Sequence, residues 1–179
     1  PVPIEEASRF GVVIADENHR ITEFQEKPPV PKSNLASMGI YIFSWDVLKE
    51  ALLALKNQPN CDFGKHVIPY CFDKEQRIYE YSSYWKDVGT LQSYWEANME
   101  LIDIVPEFNL YEEFWKIYTK SSSLPPQYVA KEVSVERCII GNGCEIHGNV
   151  SNSVISANVV IEEGAIVRDS IIMDNTVIK

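Results

Sequence analysis

Three stretches near the C-terminal end, CIIGNGCEI, SVISANVVI and SIIMDNTVI, align residue for residue from positions 138, 153 and 170. Each has two or three apolar residues, a turn with Gly143, Asn158 or Asn175 at the same place, and then another apolar residue. Gly and Asn enter left-handed backbone at the least cost. A short β repeat with turns at fixed places predicts stacked parallel coils, a β-helix. Antiparallel hairpins are the alternative, and the regularity and β-branched content favour the helix. The spacings of 15 and 17 predict imperfect coils.

Ahead of the repeat the texture is mixed. FGVVIA (10–15) and ITEFQ (21–25) read as strands around the polar cluster DENHR, which predicts a β-hairpin. ASMGIYIF (36–43), apolar at nearly every position, predicts a third strand buried on both faces. Ser44 is placed to cap the next helix, with Asp46 in its first turn and Val47, Leu48, Ala51, Leu52 and Leu55 at helical spacing. RIYEYS (77–82) reads as a further short strand. After YWKDVG, Thr90 is placed to cap a helix with Leu91, Tyr94, Trp95, Asn98, Leu101 and Ile102 on one face. Strands and helices mixed this way predict an α/β domain, with few strands of its own, as half a domain would have. From residue 103 to 131, prolines, the triplet Ser121–Ser123 and many aromatics predict a long connection. Phe108, Tyr111, Phe114, Trp115 and Tyr118 should keep it packed.

The formal net charge of −10 argues against a broad nucleic-acid or anionic-membrane footprint. It leaves room for a phosphate ligand, because one well-placed Lys or a bound metal reverses the local field. No apolar run approaches the length of a membrane span. A start at Pro1-Val2-Pro3 without Met, and an end at Lys179 inside a strand-like run, read as those of a piece cut from a longer polypeptide. Cys61, Cys71, Cys138 and Cys144 form no C-x-x-C pair and read as buried or free thiols in a reducing, cytoplasmic setting. His19, His66 and His147 show no metal-ligand spacing, and no G-x-S-x-G, Walker-type or G-x-G-x-x-G loop is present, which disfavours a triad hydrolase or a Rossmann dehydrogenase.

Four motifs remain: EKP at 26–28, SMG at 37–39, DFGK at 62–65 and WKDVGT at 85–90. In the last, Asp87 ends a predicted strand, Gly89 permits a tight turn and Thr90 opens a helix. A carboxylate there either holds a divalent cation at the end of a sheet or is an acid stabilised by a helix N-terminus. DFGK does not belong to a kinase, because the catalytic-loop and lysine motifs that should precede it are missing; Lys65 and His66 instead open the helix-like VIPYCF segment. EKP is either a solvated strand end or a pair of charges at the mouth of a site.

PIEEASRFGVV, EFQEKP, LASMGIYIF, DFGKHVIP, YWKDVGTLQSYWEANMEL and the LPP of the connection, in that order, resemble bacterial glucose-1-phosphate adenylyltransferase (ADP-glucose pyrophosphorylase). The resemblance covers essentially the whole chain. It implies a Rossmann-like nucleotidyltransferase domain of mixed sheet, here its C-terminal half, followed by the start of a left-handed parallel β-helix. The implied partition is a sugar-binding half at 1–103, a packed linker at 104–131 and the first coils at 132–179. The implied reaction converts ATP and glucose 1-phosphate to ADP-glucose and pyrophosphate with Mg²⁺, in glycogen synthesis. On this resemblance Gly11 offers backbone to the sugar phosphate and Glu26 accepts from sugar hydroxyls. Lys27 contacts the phosphate, Ser37 helps hold the sugar, and Asp87 is the catalytic, metal-binding carboxylate. An acid that reads hydroxyls beside a base that reads phosphate suits a sugar phosphate, with the prolines stiffening the strand end.

The family's glycine-rich N-terminal loop and its upstream metal-binding aspartate have no counterpart here, so the chain alone is expected to be inactive. Other sugar-1-phosphate nucleotidyltransferases, and a non-catalytic regulatory subunit of the same assembly, are the alternatives. The family implies a cytoplasmic, allosterically controlled homotetramer, or a hetero-oligomer with such a subunit. Neither nucleic acid nor membrane is an expected partner.

Overall fold

A computed structural model describes residues 1–120 and 123–179. Ser121 and Ser122 of the serine triplet lie outside the described residues. The chain divides into two compact units, Pro1–Ser83 and Tyr84–Lys179.

In the first unit a short helix α1 (Ile4–Ala7) leads into the antiparallel pair β1 (Gly11–Ala15) and β2 (Ile21–Glu26). The hairpin therefore forms where the two strand-like runs and the DENHR turn put it. Asp16 closes the turn, its Oδ1 accepting from the N–H groups of Asn18 and Arg20. His19 takes a positive φ of 60°. Helix α2 (Trp45–Ala54) follows, with Ser44 in the capping position but making no side-chain cap bond. Ala51, Val67 and Cys71 form its buried core with Phe43, Val47, Leu48 and Leu55 packed against them. Leu52, expected on that face, is 40% exposed, because it lies one step round the helix from Ala51. A π-turn (Phe63–Val67) runs into α3 (Ile68–Tyr70), and Asp62 caps it by accepting from the Lys65 N–H. The helical segment thus opens ahead of Lys65 and His66.

Two expected strands are absent. Residues 37–43 form no ladder: only Ala36 bridges, to Val12, and Ile40 and Ile42 are 74% and 99% exposed. Residues 77–82 contribute only the bridge Arg20–Arg77. An apolar run becomes a strand only when a neighbouring strand satisfies its backbone along its length; here isolated bonds, Ser37 N–H to Gly11 O and Ile78 N–H to His19 O, do not extend into a ladder.

The second unit opens with an extended run and helix α4 (Leu91–Glu100). Thr90 forms a capping box with Ser93 as the helix begins, as its position predicts. Leu91, expected on the packed face, is 90% exposed. The connection also departs from expectation. Phe108 stacks on Tyr84 with centroids 5.7 Å apart, but Tyr111, Phe114, Trp115 and Tyr118 are 78–98% exposed.

The repeat then folds as a parallel β-solenoid of about three turns. One sheet stacks β3 (Tyr128–Val129), β5 (Glu145–Ile146), β7 (Val160–Ile161) and β10 (Val177–Ile178). The other stacks β4 (Val135–Ile140), β6 (Asn149–Ile155), β8 (Ile166–Arg168) and β9 (Ile171–Ile172), with both β8 and β9 on β6. Every ladder is parallel, and Cys138 pairs with Ser153 as the sequence alignment requires. Gly143, Asn158 and Asn175 all turn left-handed, with φ of 76°, 59° and 59°. The Asn158 amide donates to Asn175 Oδ1 across coils. Arg137, Asn152 and Asp169 form a second left-handed corner with φ of 46–49°. The unequal spacing has a local origin. Two residues separate Ile146 from Asn149, but four separate their partners Ile161 and Ile166.

Cys144, Ile146, Val150, Ile155, Val159, Ile161, Ala165 and Val167 fill the solenoid, each large aliphatic among them contributing roughly 1.5–3 kcal/mol by burial. Buried Ser153 is satisfied, its hydroxyl donating to Ser151 O and accepting from the Ser170 N–H. Gly148 lies where a Cβ would meet the carbonyl oxygens of Ala165 and Glu162 at 2.5 and 2.7 Å. Gly148→Ala should therefore destabilise the solenoid by about 1–3 kcal/mol through overpacking against rigid backbone. Gly164, at φ 85° with open space around it, should lose only about 1 kcal/mol as Ala. Denaturant melts of the two variants check the order.

Candidate active site

The end of the hairpin gathers four of the five residues singled out in the sequence. Register places Gly11 opposite Glu26, and Phe10 O accepts from the Lys27 N–H at 3.0 Å. Gly11 O accepts from the Ser37 N–H at 2.7 Å, so Ser37 is stitched to the same strand end. Gly11 is buried, Glu26 and Ser37 are half-buried, and Lys27 is exposed.

Two glycines make room for the Glu26 carboxylate. A Cβ at Gly64 would lie 2.5 Å from Glu26 Oε2, and one at Gly11 would lie 3.1 Å from it and 2.6 Å from the Phe24 ring. The carboxylate therefore sits between the strand end and the start of the π-turn, close against two glycines. Beyond it lies an open cleft of about 560 Å³ lined by Gly39, Tyr41, Phe43, Asp62 and Phe63 among others. Tyr41 and Phe63 stack at 6.0 Å with 8° between their planes. The Tyr41 hydroxyl lies 2.9 Å from the Ser37 hydroxyl, which joins the cleft to the Ser37 side of the site. Tyr41, Phe63 and Gly64 escaped the sequence reading. The DFG spacing held two of them, but only packing against Glu26 and Tyr41 gives them a role.

Lys27 is held with φ of 48°, a left-handed conformation that costs an ordinary residue about 1–2 kcal/mol. The prolines that follow cannot be the whole reason for the shape of this strand end, because proline disfavours rather than requires such a neighbour. The backbone bond to Phe10 holds the strained turn, and the strained residue is the one whose ammonium faces solvent.

Asp87 belongs to the second unit and lies in an extended run outside any strand, contrary to the expectation that it ends one. A sheet end needs ladder partners, and residues 84–88 have none among the described residues. The carboxylate folds over Gly89, whose missing Cβ would stand 3.1 Å from Oδ2. Near it Lys86 bonds Glu100, and that bond first, then Glu96, raises the Lys86 pKa above the ordinary lysine range. Burial, reinforced by the Glu100 carboxylate, pushes the Tyr84 phenol up. Burial likewise raises the Cys71 thiol. All four cysteines are free thiols. Asp87 offers hard oxygen donors suited to a divalent cation. Among the described residues no cluster of three or more His, Cys, Asp or Glu accompanies it. No helix of the described residues is long and apolar enough to cross a membrane.

A mixed α/β unit whose hairpin end collects an acid, a base and a hydroxyl thus precedes a parallel β-solenoid in the chain. The nucleotidyl transferase family model matches residues 1–104, and that of the GlmU-like C-terminal hexapeptide matches residues 123–179. The chain belongs to the nucleotidyl transferase family. Its relatives include the glucose-1-phosphate adenylyltransferase of Lachnospira eligens, 71% identical over 91% of this chain and 39% of the relative. Those of Acetivibrio thermocellus and Bacillus cereus are 50% and 47% identical, over 99% and 96% of this chain and 42% and 47% of their own length. The chain spans less than half the length of these curated relatives.

If the left-handed turn at Lys27 is kept for its ammonium rather than for folding, removing the side chain should ease the backbone. Lys27→Gly should be about 1 kcal/mol more stable than Lys27→Ala, because only glycine takes a φ of 48° freely. Paired thermal melts test this; equal stabilities would remove the strain argument.

Proposed function

We propose that this chain supplies the sugar-phosphate side of a glucose-1-phosphate adenylyltransferase. In that reaction an oxygen of the glucose 1-phosphate phosphate attacks the α-phosphorus of ATP. A new P–O bond forms, the bond to the β-phosphate oxygen breaks, and ADP-glucose and pyrophosphate result. The observation that carries the reading is the gathering of Gly11, Glu26, Lys27 and Ser37 at one strand end, in a chain whose relatives bear that name.

Glu26, close against its two glycines, accepts from sugar hydroxyls, and Ser37, whose N–H is bonded to Gly11 O, adds a hydroxyl. Lys27 presents its charge to the phosphate. Gly11 serves as backbone at the closest approach, with no side chain to fill the slot. Positioning these groups before the substrate arrives lowers the entropic part of the barrier. Enzymes of this class use a divalent metal; Mg²⁺ is the proposed ion, and when bound it neutralises phosphate charge. Asp87 is the residue of this chain that would hold it.

The reading includes a sugar-binding half at 1–103, a connection at 104–131 and the solenoid from 132. It also includes a cytoplasmic homotetramer acting on glucose 1-phosphate and ATP in glycogen synthesis.

Two substitutions in the full-length protein test it. Lys27→Ala should raise KM for glucose 1-phosphate about ten- to a hundredfold with a smaller change in kcat, the loss of one charge-assisted contact made in both ground and transition states. A rise in the ATP KM instead, with glucose 1-phosphate unaffected, would reassign the residue. Asp87→Asn should depress kcat strongly with an unchanged melting temperature, since metal charge acts most on the transition state. An acid that merely stabilises the α4 N-terminus predicts the reverse: near-normal turnover and a loss of about 0.3–1 kcal/mol in stability.

A further inference from the structure

The run that carries Asp87 is held by side chains rather than by a sheet. Residues 84–88 form no ladder, yet they are tied at both ends to the helix that follows them. At one end the Lys86 ammonium reaches Glu100 Oε1 at 2.5 Å and Glu96 Oε2 at 3.3 Å. Glu96 and Glu100 stand one helical turn apart on α4 and so share a face. Tyr84 donates to the second oxygen of Glu100 at 2.9 Å. Tyr84 and Lys86 thus meet one carboxylate of the same helix together. At the other end Thr90 is locked by the capping box with Ser93. Asp87 lies between the two fastenings. The helix itself is anchored, since the Trp95 indole N–H donates to Asp169 O of the solenoid at 2.8 Å. The Lys86 side chain is only 25% exposed, far more covered than the exposed ion pair Lys131–Glu132.

We propose that Lys86 is a positioning residue for Asp87: its double ion pair to Glu100 and Glu96 fixes the run that presents the Asp87 carboxylate to a divalent cation. The inference rests on the reading of Asp87 as a metal ligand. A lysine here cannot be a ligand itself, because an ammonium has no lone pair to give. It acts by setting where the neighbouring carboxylate stands.

The test uses the full-length protein and Mn²⁺ as the probe, with binding followed by electron paramagnetic resonance and the fold followed by thermal melting. Lys86→Met should weaken Mn²⁺ binding, and raise the metal concentration for half-maximal turnover, by about tenfold, as loss of a group supporting a ligand does. KM for glucose 1-phosphate should not move. Lys86→Arg should recover most of the loss, because a guanidinium can still bridge two carboxylates. Should Lys86→Met fail to fold, Glu100→Gln makes the same test, breaking the stronger contact with no change in size. Either variant, folded and binding Mn²⁺ like the parent, overturns the proposal and leaves the ion pair as a scaffold contact. Asp87→Asn separates the two ideas. If it binds Mn²⁺ normally, the ligand reading falls and the inference with it; if it alone weakens binding, only the role of Lys86 is wrong.

Discussion

The solenoid exists because its backbone turns left-handed at the same two places in every coil. Gly143, Asn158 and Asn175 make one corner and Arg137, Asn152 and Asp169 the other. Each corner returns the chain onto the coil before it, so parallel ladders form at short range without a crossover helix. The aliphatic side chains between corners then point into one shared interior, where Ile146, Ile155 and Ile161 are fully buried. Move a corner by one residue and the inward set turns outward along the whole coil. Hydrogen bonds between corners, such as Asn158 to Asn175 and Asn152 to Asp169, reinforce the register.

In the first unit the corresponding constraint is a slot. Gly11 and Gly64 both surrender the volume that Glu26 occupies, so the acid is placed by backbones rather than by partner side chains. Lys27 beside it takes a costly conformation, with its N–H bonded to Phe10 O. Strain of this kind persists where the surrounding structure over-determines it, and it collects at working sites. The stacked Tyr41 and Phe63 give the neighbouring cleft an aromatic wall.

The Asp87 run follows another logic. It has no ladder, and Lys86, Tyr84 and the Thr90 cap tie it to one helix that is itself fastened to the solenoid. Charges that would each contribute little at an open surface matter more here, because Lys86 is largely covered and meets two carboxylates at once.

What the sequence by itself determined was local or periodic. The hairpin was legible from two strand-like runs around DENHR, α4 from Thr90 and its spacing, and the coils from a residue-for-residue alignment with Gly or Asn at one corner. The resemblance carried by EKP, SMG and KDVGT named Glu26, Lys27, Ser37 and Asp87 without any geometry. Tertiary structure alone decided the rest. ASMGIYIF and RIYEYS have strand composition but no ladder, since a strand is a property of a pair and the chain's own pattern cannot supply the partner. The second corner was hidden because Arg137 and Asp169 do not advertise left-handed backbone; the coil forces it on them. The Glu26 slot depends on Gly11 and Gly64, far apart in the chain, meeting at one carboxylate. The clamp on Asp87 likewise depends on Lys86 meeting carboxylates a helix away. Contacts between distant residues carry no signature in either segment, so only the folded chain shows them.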